Sequence, residues 1–109
     1  MDPRERRLAE NETIFRSVNE RIEQLASPQA HDGHVFEFLC ECSNLDCTLR
    51  LPLTIAEYEE IRATPTVFVV APGHDLPEIE EIIRRTPTHQ IVKKHGEAAE
   101  LAAGRDPRS

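Results

Sequence analysis

The sequence predicts an α+β fold, and three observations carry that prediction. A heptad-like run over residues 3–26 reads as one long amphipathic helix. Two alternating segments on either side of a cysteine-bearing turn, near 36–42 and 47–53, read as a β-hairpin. The periodic stretches that follow are short, and they supply further strands and short helices around a small, mostly antiparallel sheet.

The first helix has an explicit start. Asp2-Pro3-Arg4-Glu5 places a carboxylate at the N-cap, proline at the first helical position and Glu at the third, a capping-box variant. Leu8, Phe15 and Ile22 fall seven apart, as do Asn11, Val18 and Leu25, so the two rows form an a/d stripe with one polar member. Glu12 and Arg16 add an i,i+4 pair, and Ser27-Pro28 ends the pattern. At about 1.5 Å per residue the helix would span roughly 36 Å. The stripe of Leu8, Phe15, Val18, Ile22 and Leu25 has two readings. It lies on the protein's own sheet, or it meets a protein partner or a second copy of the chain.

Residues 27–34 are rich in turn formers and lack a hydrophobic period, which marks a linker. The predicted division is therefore an N-terminal amphipathic helix over 1–26, a linker over 27–34, a small α+β domain over 35–104 and a polar tail over 105–109. Phe36, Phe38, Cys40 and Cys42 alternate with Glu37, Leu39 and Glu41 as a first strand. Residues 43–46 turn, and Cys47, Leu49, Leu51 and Leu53 return as a second strand in which Pro52 is tolerated at an edge. Thr54-Ile55-Ala56-Glu57 is a capping box, after which Ile55, Tyr58 and Ile61 keep helical spacing as far as Thr64-Pro65. The apolar run 66–71 predicts a buried central strand. Asp75-Leu76-Pro77-Glu78 offers another cap. It predicts a short helix with Ile79, Ile82 and Ile83 on one face and the pairs Glu80–Arg84 and Glu81–Arg85. A strand at Gln90–Lys94 and an Ala-rich helix over 97–103 complete the chain. The clusters Glu57, Glu59, Glu60 and Glu78, Glu80, Glu81 read as solvated helix faces.

Composition narrows the partners. The 109 residues are one domain's worth of protein, 30% of them are charged, and no apolar run approaches the ~20 residues of a bilayer crossing. The start has no apolar export region, which predicts a soluble cytoplasmic protein. Thirteen basic against twenty acidic residues leave a net charge of −7, the wrong sign for phosphate neutralisation. Neither nucleic acid nor membrane is an expected partner.

All three cysteines lie within eight residues, as Cys40-Glu41-Cys42 and then Cys47. Side chains two apart on a strand share a face, so Cys40 and Cys42 point together, and the turn can fold Cys47 back toward them. In a reducing compartment such a cluster is a metal site more readily than a disulfide, and the odd count points the same way. The hairpin turn is thereby predicted to be metal-binding, with zinc as the ion and an iron–sulfur cluster as the alternative. Among His31, His34, His74, His89 and His95, the first choice for a fourth ligand is His74, which follows Gly73 on a tight turn leaving the buried strand. His31 and His34 come next, and His89 and His95 read as solvated. His74 qualifies only if the end of the 66–71 strand reaches the 40–47 turn, which an antiparallel run of that strand against the second hairpin strand would achieve.

The residues Cys40-Glu41-Cys42, Cys47, Glu57-Tyr58, Phe68-Val69-Val70 and Pro72-Gly73-His74 resemble a group of small uncharacterised actinobacterial proteins with a C-E-C-x4-C and P-G-H motif. The likeness extends over nearly the whole chain, including Asn11-Glu12 to Phe15-Arg16 and Glu97-Ala98-Ala99. It implies that the chain is one complete protein, and it supplies no catalytic residue. Glu41, between two ligands, is the one candidate base toward a metal-bound water, but no paired carboxylates or phosphate-cradling loop accompany it. The expected function is a non-enzymatic, zinc-stabilised protein-interaction module, with an iron–sulfur or thiol-based redox sensor as the alternative.

Overall fold

The structure is a computed structural model that describes every residue except 30, 32 and 109. Part of the predicted linker (Ala30, Asp32) and the end of the predicted tail (Ser109) therefore lie outside the described residues. Helix α1 (Pro3–Ala26) begins at the predicted cap. The Asp2 carboxylate accepts from the Glu5 N–H at 2.7 Å, and the Glu5 carboxylate accepts from the Asp2 N–H at 3.1 Å. A short 3-10 turn (Ser27–Gln29) follows. Strands β1 (Val35–Leu39) and β2 (Arg50–Thr54) pair antiparallel as the predicted hairpin, with Phe36 opposite Leu53 and Phe38 opposite Leu51. Helix α2 (Ile55–Arg62) starts at its capping box, the Thr54 hydroxyl accepting from the Glu57 N–H at 3.0 Å.

The second sheet holds β3 (Val67–Val70), β4 (Glu80–Arg85) and β5 (Gln90–Lys94) in the order β3-β5-β4, all antiparallel, and helix α3 (Gly96–Gly104) closes the chain. Mixed α+β is therefore the observed class. No helix among the described residues is long and apolar enough to cross a membrane.

Two predicted elements differ. The segment expected as a helix after residue 75 is strand β4. The i,i+3,i+4 spacing of Ile79, Ile82 and Ile83 fits a helix, but Thr86 closes a turn with His89 that returns the chain along β5. The Thr86 N–H donates to the His89 carbonyl at 2.9 Å. The expected Glu80–Arg84 pair does not form, because Glu80 is buried against Lys94. Strand β3, expected at the centre, is an edge strand, and β5 is central. All four β3 residues are nonetheless buried, since the Cys40–Cys42 segment lies against that edge: the Glu41 N–H donates to the Val69 carbonyl at 2.8 Å.

Helix α1 also faces inward with an unexpected surface. Its buried residues are Ala9, Glu12, Thr13, Arg16, Asn19 and Glu20, whereas Val18 and Leu25 of the predicted stripe are exposed and Leu8, Phe15 and Ile22 only half-buried. Four of the buried polar groups, Glu12, Arg16, Asn19 and Glu20, have distant partners instead of the expected Glu12–Arg16 contact, whereas the Thr13 hydroxyl donates to the Glu10 carbonyl one turn back at 2.6 Å. Arg16 donates to the carbonyls of Pro65 and Ala102 and lies 3.9 Å from the centre of the Phe68 ring. Lys94 pairs with both Glu12 and Glu80, and its ammonium covers Phe68 at 4.7 Å from the ring centre. Arg62 pairs with Glu20 and Asp106, and Arg108 with Glu20 and Glu59, so residues expected as a free polar tail are tied to α1 and α2. His89, expected to be solvated, is buried with Nδ1 3.0 Å from the Thr88 hydroxyl.

Candidate metal centre

The hairpin's far end builds the centre. Beyond β1 the chain continues as Cys40-Glu41-Cys42 along the edge of β3, and the alternation of an extended backbone sends the two thiols to one side and Glu41 to the other. The Asn44 carboxamide oxygen accepts from the Asp46 N–H at 2.9 Å, and the Asn44 carbonyl accepts from the Cys47 N–H at 3.0 Å. This tight turn carries Cys47 back over its two neighbours. On the other side, β3 ends at Ala71, and the Ala71 carbonyl accepts from the His74 N–H at 3.0 Å. Gly73 in that turn has φ +81°, a conformation L side chains rarely adopt. The end of β3 thus reaches the cysteine turn, as the choice of His74 required, although β2 and β3 belong to different sheets.

The ligand atoms of Cys40, Cys42, Cys47 and His74 all lie within 4.8 Å of one another. His74 Nδ1 is 3.6 Å from Cys40 Sγ and 3.7 Å from Cys47 Sγ. These four residues are placed to hold a metal ion. Cys40 and Cys42 are buried, Cys47 and His74 half-buried, and the three thiols are free of disulfides. His31 and His34 stay outside the group: both are exposed, and the His34 ring meets the Phe36 ring at a tilt of 48° with centres 4.5 Å apart.

The electrostatics favour a thiolate at one of the three sulfurs, Cys42. The neighbouring Cys40 thiol, then the His74 side chain, hold the Cys42 thiol down at about 5, while Cys40 is pushed up by that same hydrogen bond and by burial. Burial also raises Cys47. Cys40 Sγ further accepts from the Ala71 N–H at 3.1 Å, a backbone donor of the kind that steadies a thiolate.

Several supporting residues carry no signature in the one-dimensional pattern. Glu41 is fully buried and turned to the core: its Oε2 accepts from Asn19 Nδ2 at 2.9 Å and from the Tyr58 hydroxyl at 3.0 Å, and its Oε1 accepts from the Val69 N–H at 3.1 Å. Burial raises its carboxyl above the usual range despite those donors. Asn19 also bridges both backbone groups of Leu39, donating to its carbonyl at 2.9 Å and accepting from its N–H at 2.7 Å. Asn11 donates to the Ser43 carbonyl at 2.9 Å. Helix α1 therefore grips the segment that carries the thiols from two points. The one available hint is Glu41 itself, a carboxylate on the face of an extended segment opposite to that of its flanking cysteines.

No protein-family model, curated protein or solved structure matches this chain.

Proposed function

We propose that Cys40, Cys42, Cys47 and His74 hold a single zinc ion in a closed tetrahedral site, and that the ion clasps a non-enzymatic protein-interaction module working in the reducing cytoplasm. The separation between sulfur and nitrogen carries this reading. Zinc bonds of about 2.3 Å to sulfur and about 2.0–2.1 Å to nitrogen at tetrahedral angles put the two ligand atoms about 3.6 Å apart. The distances from His74 Nδ1 to Cys40 Sγ and Cys47 Sγ in the structure are 3.6 and 3.7 Å.

The donor set supports zinc on chemical grounds, since three thiolates and one imidazole are soft to borderline ligands suited to a d10 ion. An iron–sulfur cluster interposes several atoms between its ligands, whereas ligand atoms within 4.8 Å of one another suit one ion. Four protein donors leave no open position for a substrate, and Glu41 is engaged by three donors of the core, which supports a structural role. Free thiols in this number also suit a reducing compartment. The exposed Val18 and Leu25 of α1 support the interaction role.

Elemental analysis of freshly purified protein tests the reading, with one zinc per chain as the expected result. Chelation, or Cys42→Ser, is expected to lower the melting temperature by at least about 10 °C, because structural zinc contributes on the order of 10 kcal/mol in small domains. Visible absorption with bound iron contradicts the reading in favour of a cluster. A metal-free protein that reversibly loses two thiols on mild oxidation contradicts it in favour of a redox sensor.

A further inference from the structure

Helix α1 is turned inside out relative to an ordinary amphipathic helix. Its core-facing side is mostly polar, and its exposed side carries Ile14, Val18 and Leu25, at 51%, 43% and 60% exposure. At 100° per residue these three side chains fall within an arc of about 40°, centred about 180° from the buried set. They form one stripe, flanked by the half-buried Phe15 and Ile22.

We propose that this stripe is the interface with a second copy of the chain, the two α1 helices packing antiparallel with Ile14 of each copy against Val18 of the other. The proposal rests on the interaction half of the function above and is independent of the metal. Charge selects the occupant and its direction. Arg7 and Arg21 lie on the exposed side at the two ends of the stripe. A parallel pair would oppose Arg7, which lies on the centre line of the stripe, to Arg7 of the other copy, which is repulsive.

An antiparallel pair centred between residues 14 and 18 instead brings Arg7 level with Leu25 in the last turn of the other helix. That turn contains no basic residue of its own, so its carbonyl end lacks a complementing charge that Arg7 would supply. The same centring brings Arg21 within about one residue's rise of Glu10 in the second copy, on the same flank of the stripe. Within its own chain Arg21 reaches only the Gln24 carboxamide among the described residues, at 3.4 Å, while Glu10 lies 3.5 Å from Arg6 and 3.1 Å from Arg105. Glu10 is thus held in place and half-exposed at the stripe's edge.

Sedimentation of the intact, metal-loaded protein over about a hundredfold range of concentration tests this. The wild type is expected to dimerise, and Val18→Glu to weaken the dimer at least about tenfold with unchanged circular dichroism and metal content. Glu10→Arg and Arg21→Glu are each expected to weaken it, and the double exchange to restore it. A wild type that stays monomeric throughout overturns the proposal and leaves the stripe to a different protein. A dimer insensitive to Val18→Glu overturns the interface, and a double exchange without rescue overturns the antiparallel arrangement. Because metal content is read on the same samples, failure here is distinguishable from failure of the zinc reading.

Discussion

Cys40 Sγ stands 3.6 Å from His74 Nδ1 across 34 residues of sequence. The same sulfur accepts from the Ala71 N–H at 3.1 Å. One thiol therefore fixes both the end of β3 and the imidazole that follows it, and the β1–β2 hairpin is joined at this point to a sheet with which it shares no ladder. An ion between these atoms would turn a contact between two small sheets into a covalent-strength clasp, which suits a chain whose two sheets have only two and three strands.

The approach of His74 depends on Gly73. A Cβ there meets no atom within 4 Å, so Gly73→Ala tests the backbone alone. Holding a non-glycine residue at φ +81° is expected to cost about 1–2 kcal/mol, and relaxation of the turn is expected to draw the imidazole away from the sulfurs. Denaturant unfolding measures the first effect and chelator competition the second. Unchanged zinc affinity would show that the turn does not position the ligand.

Asn19 is predicted to be the most sensitive polar residue of α1. Asn19→Ala leaves the Leu39 N–H and carbonyl without their side-chain partner and removes a donor from Glu41, an expected loss of about 2–4 kcal/mol. Glu41→Gln is expected to cost about 1–3 kcal/mol, because a carboxamide presents a donor where three groups already donate. Equilibrium unfolding of both variants checks the pair, and losses below the error of the method would contradict the network.

Lys94 sits between two buried carboxylates, and burial, with Glu80 adding to it, raises the Glu12 carboxyl well above its ordinary 4.5 despite the opposing ammonium. The sign follows from linkage. Above pH 4.5 the unfolded chain releases the Glu12 proton while the folded chain keeps it, so this residue subtracts stability as pH rises until the folded value is passed. Glu12→Gln removes that dependence, and its stability relative to wild type is expected to grow from pH 4.5 upward. Lys94→Met, which leaves Glu80 without its ammonium and Glu12 without its donor, is expected to cost about 3–5 kcal/mol near neutral pH. Unfolding curves across pH separate the two, and a pH-independent difference for Glu12→Gln would contradict a raised Glu12.

Much of this architecture is readable in the one-dimensional pattern, and what is not has identifiable causes. The capping boxes at Asp2–Glu5 and Thr54–Glu57, the alternation across 36–42 and the apolar run at β3 act over a few residues, so local sequence suffices to specify them. The cysteine spacing and the P-G-H turn are equally local, and only their meeting is a tertiary event. Strand β4 fails as a prediction because an i,i+3,i+4 row of isoleucines suits either a helix or a twisted, bulged strand. Only the Thr86–His89 turn decides between them. The inward face of α1 was hidden for a different reason. Glu12, Arg16, Asn19 and Glu20 are buried by partners at Lys94, Pro65, Leu39 and Arg62, none of which is near them in sequence.

X-ray absorption at the zinc edge addresses the coordination shell itself. Three sulfur scatterers at about 2.3 Å and one nitrogen at about 2.0–2.1 Å are predicted, with no oxygen and no second metal. A shell in which water replaces the nitrogen, or a purified protein that takes up no zinc at all, would contradict a closed centre made by Cys40, Cys42, Cys47 and His74.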